Sequence, residues 1–115
     1  MARLVIIRPI HPLPGRLAEA IRWLEETEPI RVANGQLQQY VLRGVVDNGD
    51  YQLMQVWSDH AAYQRWRLTP ERARLAHDRQ LYLAHDPARL YEIYAGVRKP
   101  IQSEAEAGEA QAGKG

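Results

Sequence analysis

Two tryptophans nine residues apart, Trp57 and Trp66, bracket the stretch VWSDHAAYQRWRLTPERARL, residues 56–75, and His77 follows close behind. The chain has three tryptophans and no phenylalanine, so this pair concentrates much of its planar apolar surface in one place. Flat ligands need such surface with a polar handle beside it. Tyr63 falls between the two indoles and Tyr82 lies beyond them; a phenol can donate a proton to a ligand carbonyl. Arg8 and Gln55 interrupt otherwise apolar runs, where an inward-facing charge or amide must find a partner or meet a ligand. An imidazole such as that of His77 can serve as a pocket base. The residue types therefore nominate His77, Arg8 and Trp66 for chemistry, with Tyr63, Trp57, Gln55 and Tyr82 as a pocket lining.

Each candidate also has a purely structural explanation. His77 can be a partly exposed helix histidine bonded to Asp78. Trp57, at a strand end, can be core, and the tyrosines can stand in for the missing phenylalanines. Arg8, Gln39, Arg43, Gln55 and Glu92 all sit inside apolar strands, and a charge pair such as Arg43 with Glu92 is the simplest account of two of them.

Composition removes several other chemistries. There is no cysteine, which excludes disulfides, thiolate metal sites, iron–sulfur clusters and a cysteine nucleophile. Fifteen basic residues, almost all arginine, balance fourteen acidic ones, and no basic stripe with interleaved aromatics marks a nucleic-acid surface. His11, His60, His77 and His85 show no ligand spacing: His77 and His85 would differ by ~80° around a helix axis, so no dedicated metal site is expected. No glycine-rich phosphate loop and no Ser/His/Asp signature is present. The N-terminal apolar run is four residues long, too short for a signal-peptide core or a membrane span. A soluble, cytoplasmic protein is the expectation.

The elements that must position these residues follow from pattern. Residues 3–10, RLVIIRPI, read as a first strand closed by the HPLPG turn. Leu17, Ile21 and Leu24 recur at helical spacing with glutamates outside, giving an amphipathic helix stopped by Pro29. LQQYVLRGVV and YQLMQVW flank Asp47–Asp50, whose Asn-Gly pair predicts an antiparallel hairpin. Ser58 is expected to cap a short helix carrying Ala62, Tyr63 and Trp66, and Thr69-Pro70-Glu71 to start a second one over about residues 70–84. RLYEIYAGV, residues 89–97, alternates as a last strand. The tail from residue 99 to 115 is small, polar and glycine-rich, and is expected to be disordered.

The resulting order predicts a ferredoxin-like α+β domain over residues 1–98, with a four-stranded antiparallel sheet and helices on one face only. Both sheet faces carry large apolar groups. Exposed apolar patches of several hundred Å² are uncommon in monomers. The open face should therefore pair with a second copy to form a homodimer.

The segment QVWSDHAAYQRWRLTPERARL, set between a strand and a helix, resembles the corresponding part of the antibiotic biosynthesis monooxygenase-like family of dimeric α/β-barrel proteins. The element order extends that resemblance over residues 3 to about 97. It implies a sheet-paired homodimer holding a small aromatic or polycyclic ligand between helices and sheet. It also implies oxidation by dioxygen without metal or flavin, the deprotonated substrate being its own reductant. His77 would then be the base, and Arg8 or Trp66 the donor to a developing oxyanion. A second branch of the family binds and degrades haem. Trp66 and His77 resemble its tryptophan and histidine, which would make His77 an axial ligand, while Arg8 stands where that branch has asparagine. Non-catalytic ligand binding or an interaction role completes the alternatives.

Overall fold

A computed structural model describes residues 2–96 of the 115-residue chain. Seven elements follow in the order β1 (Leu4–Ile10), α1 (Leu17–Val32), β2 (Gln36–Arg43), β3 (Tyr51–Trp57), α2 (His60–Arg67), α3 (Pro70–Arg79) and β4 (Arg89–Glu92). The strands form one sheet in the order β2-β3-β1-β4, with every neighbouring pair antiparallel. This is the ferredoxin-like α+β arrangement expected from the sequence. The boundary placed at residue 98 and the tail beyond it lie outside the described residues, as does residue 97 of the predicted last strand; three elements end earlier than expected, β2 at Arg43 rather than residue 46, α3 at Arg79 rather than about residue 84, and β4 at Glu92 with residues 93–96 outside the strand.

Period-two alternation divides the sheet into two faces. On β1 and β3 the register sets Leu4 opposite Trp57, Ile6 opposite Gln55 and Arg8 opposite Leu53. Leu4, Ile6, Leu53, Gln55 and Trp57 are all buried, so this face lies under the helices. Val5 opposite Val56, and Ile7 opposite Met54, mark the reverse face. Tyr40 pairs with Met54 on one flank and Tyr91 with Val5 on the other, and these two tyrosines remain 45% and 51% exposed. The core divides into two clusters. Leu4, Ile6, Trp57, Tyr63, Trp66 and Leu75 gather under α2 and α3. Ile10, Ala20, Leu24, Leu53 and Leu83 gather under α1, and Trp23 packs against both groups.

Four further details differ from the sequence reading. Pro29 does not stop α1, which runs on to Val32. Pro29 is exposed, so the carbonyl left without its donor can face water, and the amide of Ala33 bonds Pro29 O at 3.0 Å to carry the helix onward. The buried stripe of α1 is Ala20, Leu24, Thr27 and Arg31, which puts a polar end on an otherwise apolar ridge. The cap of α2 is Asp59 rather than Ser58: the Asp59 carboxylate accepts from the amide of Ala62 at 2.7 Å. Finally, Arg43 and Glu92 belong to opposite edge strands, so the pairing suggested for them is not made. The cap at Thr69, accepting from the amide of Arg72 at 3.1 Å, is as expected.

Candidate functional site

A cavity of about 670 Å³ opens between the helical layer and the sheet. β1 contributes Arg8 to it, and β3 contributes Leu53 and Gln55. The helix α2 supplies Tyr63 and Trp66, one turn apart on its buried face. From α3 come Arg72, Leu75, Ala76 and Arg79, the i, i+3, i+4, i+7 set that forms a single helix face. Trp23, Leu24 and Arg31 of α1 close the far side, and Gln80, Leu83 and His85 after α3 complete the rim.

The aromatic wall is built in two layers. Trp66 is 5% exposed and lies against Trp57, ring centroids 5.9 Å apart and planes tilted by 33°. Trp57, wholly buried, meets Tyr63 edge to face at 5.3 Å. Thus Trp57 is the backing that fixes the rings of Trp66 and Tyr63, and it does not itself line the cavity. Tyr82 packs against Trp23 at 5.9 Å and borders a separate, shallower depression beside Arg16 and Glu26.

A chain of side-chain hydrogen bonds crosses the sheet beneath these rings. Trp57 Nε1 donates to Gln55 Oε1 at 3.2 Å, and Gln55 Nε2 donates to Gln39 Oε1 at 3.0 Å. The guanidinium of Arg31 donates to the same Gln39 oxygen at 3.0 Å, to Leu24 O at 2.7 Å, to Thr27 Oγ1 at 2.9 Å and to Gln36 Oε1 at 3.2 Å. Arg31 is nonetheless pushed down to about 10 because burial disfavours its charge, with Glu28 opposing.

The entrance side is strongly cationic. Burial lowers the pKa of Arg8; Arg72 adds to that effect, and Tyr63 and Asp86 oppose it. Burial also lowers Arg79, and repulsion from Arg8 and Arg72 works in the same direction. Arg8 donates to the backbone carbonyl of Asp86, while the Asp86 carboxylate lies 2.7 Å from His11 Nδ1. That carboxylate oxygen is buried and accepts no aligned hydrogen bond.

Of the residues nominated from sequence, Arg8, Trp66, Tyr63 and Gln55 meet in this cavity. Trp57 stands behind it and Tyr82 beside it. His77 is exposed on α3 and does not line the cavity, since the inward face of that helix is spent on positions 72, 75, 76 and 79. The imidazole at the rim is His85. Arg31, Arg72, Arg79, Trp23 and His85 were missed. Spacing on α3 held the signal for Arg72 and Arg79, because both repeat in phase with Leu75, but arginines at helix surfaces usually face water. Among the described residues, no group of three or more His, Asp or Glu side chains is placed to hold a metal ion, and no helix is long and apolar enough to cross a membrane.

Solved structures share this architecture. SnoaB, a cofactor-independent oxygenase from Streptomyces nogalater, superposes with a TM-score of 0.71 at 18% identity, covering 86% of this chain and all of its own. A candidate antibiotic biosynthesis monooxygenase from Chloroflexus aurantiacus gives 0.64 at 16% identity, over 83% of this chain and 96% of that one. PA3566 from Pseudomonas aeruginosa gives 0.63 at 23% identity, over 83% and 97%. The chain has the fold of the antibiotic biosynthesis monooxygenase-like proteins. No family model and no curated protein sequence matches it. Within that fold the haem arrangement does not suit these residues: the imidazole it assigns as ligand, His77, points away from the cavity, and Arg8 replaces the asparagine.

Proposed function

We propose that this protein binds a small aromatic or polycyclic molecule in the cavity between helices and sheet and oxidises it with dioxygen, without a prosthetic group. The observation that carries this reading is the cavity itself, in which the apolar surfaces of Trp66, Leu75 and Leu53 stand among donors from Arg8, Gln55 and Tyr63. The likeness of fold to SnoaB, a cofactor-independent oxygenase, supports the reaction class.

In this scheme an electron-rich phenol or enol loses its proton and becomes the reductant. One oxygen atom enters the ring as a new carbonyl oxygen and the other leaves as water with two hydrogens of the substrate, so the phenol becomes a quinone and itself supplies all four electrons that dioxygen takes up. Arg8, already short of solvent, stabilises the oxyanion, because a charge in a dry site interacts more strongly than in water. His85 replaces His77 as the base at the rim. Trp66 holds the ring plane, and Trp57 holds Trp66. Two copies pair through the open sheet face, where Tyr40 lies beside Met54 and Tyr91 beside Val5; the exposure of these tyrosines supports that pairing.

The test is oxygen uptake by the purified protein with a panel of polycyclic phenols, in the presence of a chelator. One dioxygen should be consumed per product, and isotopically labelled dioxygen should add a single labelled atom. A phenol that binds but draws no oxygen above the uncatalysed rate would remove the oxygenase and leave only the binding site.

A further inference from the structure

Three guanidinium groups turn toward one cavity: Arg8 from the sheet, and Arg72 and Arg79 two turns apart on α3. Among the described residues the ion pairs are His11–Asp86 and Arg16–Glu19, so none of the three has a carboxylate at salt-bridge distance. The carboxylate that acts on them is Asp86, which opposes the lowering of Arg8 and Arg79 without reaching salt-bridge distance, while its backbone carbonyl accepts from Arg8. Arg31, on the opposite side of the cavity, differs in kind, since its donors are engaged by four acceptors of its own chain. Like charges gathered beside apolar walls and short of solvent disfavour folding unless an opposite charge arrives.

Apolar groups line the same space among these cations: Trp66 of α2, Leu75 between Arg72 and Arg79 on α3, and Leu53, the register partner of Arg8. We propose that the ligand of this cavity is an aromatic carboxylate, its ring against Trp66 and its two oxygens on the forked donors of Arg8, Arg72 and Arg79. This rests on the reading of the cavity as a ligand site and names the class of molecule it takes. Two coplanar oxygens match the planar fork of a guanidinium.

The experiment compares 2-naphthoate with 2-naphthamide, which share a ring and a shape but differ in charge, by calorimetric titration of the full chain at low salt. The naphthoate should bind about 10- to 100-fold more tightly, the range of one or two charge-assisted hydrogen bonds, and added salt should narrow the gap. R79Q and R72Q should each weaken naphthoate about tenfold and leave naphthamide unchanged, while R79K, which keeps the charge, should restore most of the difference. Unchanged naphthamide affinity shows that the cavity survives each substitution. Equal affinity for the two compounds in the unsubstituted protein overturns the anion assignment and leaves the aromatic site standing. Failure of both to bind overturns both. Loss of both compounds in R72Q and R79Q alike would show that these arginines hold structure rather than a carboxylate.

Discussion

Replacing Arg31 with methionine tests whether the buried cation of the far wall stabilises the fold or is merely tolerated by it. Arg31 is 5% exposed, and its pKa is lowered from the ordinary guanidinium value to about 10 chiefly by burial. That lowering corresponds to roughly 3 kcal/mol against the charged form at neutral pH. On the other side stand its four hydrogen bonds, but two of their acceptors have a second donor and a third, the Thr27 hydroxyl, keeps a bond of its own. Leu24 O also receives Gln39 Nε2, Gln39 Oε1 also receives Gln55 Nε2, and Thr27 Oγ1 still donates to Trp23 O. Gln36 Oε1 alone loses its partner, at a cost of about 1–3 kcal/mol. A methionine of similar reach fills the space, so R31M should lie within about 2 kcal/mol of the parent in urea unfolding at pH 7, with an unaltered m-value. The pH dependence supplies a second reading. Below about pH 10 Arg31 is charged in both folded and unfolded states, so its penalty is constant. From about pH 10 up to the ordinary guanidinium value the unfolded chain keeps the proton that the folded one releases, so stability from this group rises with pH. By pH 11 the parent should gain about 1.4 kcal/mol relative to R31M. A loss above about 4 kcal/mol at pH 7, or no relative gain on the alkaline side, would refute this reasoning.

Further expectations concern other parts of the molecule. Asp59→Ala should cost about 1 kcal/mol by thermal unfolding, against less than about 0.5 for Ser58→Ala, because only Asp59 accepts from the first turn of α2. Trp66→Ala should cost about 3–5 kcal/mol in urea unfolding, since a nearly buried indole leaves a void against Trp57, whereas Trp66→Phe should fold well and weaken aromatic ligands. Met54→Lys, at the centre of the open sheet face, should turn a sheet-paired dimer into monomers in sedimentation velocity at micromolar concentration while the circular dichroism of the fold is retained.

The architecture was legible because it depends on local signals that agree with one another: the Asn48-Gly49 turn, strand alternation and the proline-led start at Thr69. The site was legible only in part. Arg8, Gln55, Tyr63 and Trp66 stood out as polar or aromatic groups in elements that must face inward. His77 was drawn in by its nearness in sequence to Trp66, but a shift of one residue on a helix turns a side chain by about 100°, and Ala76 takes the inward position. Arg31 was hidden behind Pro29, which should have ended the helix before reaching it. The ladder from Trp57 to Arg31 joins residues on three elements, and no local pattern announces such a contact.

The last strand pairs with β1 only from Leu4 to Ile7, so Arg8 and the residues after it meet an irregular stretch instead. There the amide of Ala84 bonds His11 O at 2.9 Å, the amide of Leu13 bonds Tyr82 O at 2.8 Å, and buried Leu83 acts as the anchor. This stretch also brings Gln80 and His85 to the cavity rim. A sheet extended by three more pairs would fix the register of everything beside Arg8, and each change there would disturb the ladder. Because the ladder stops early, the segment works like an interchangeable gasket: descendants of this fold can exchange Gln80 or His85, and so retune what enters, while the scaffold's own pairings stay as they are.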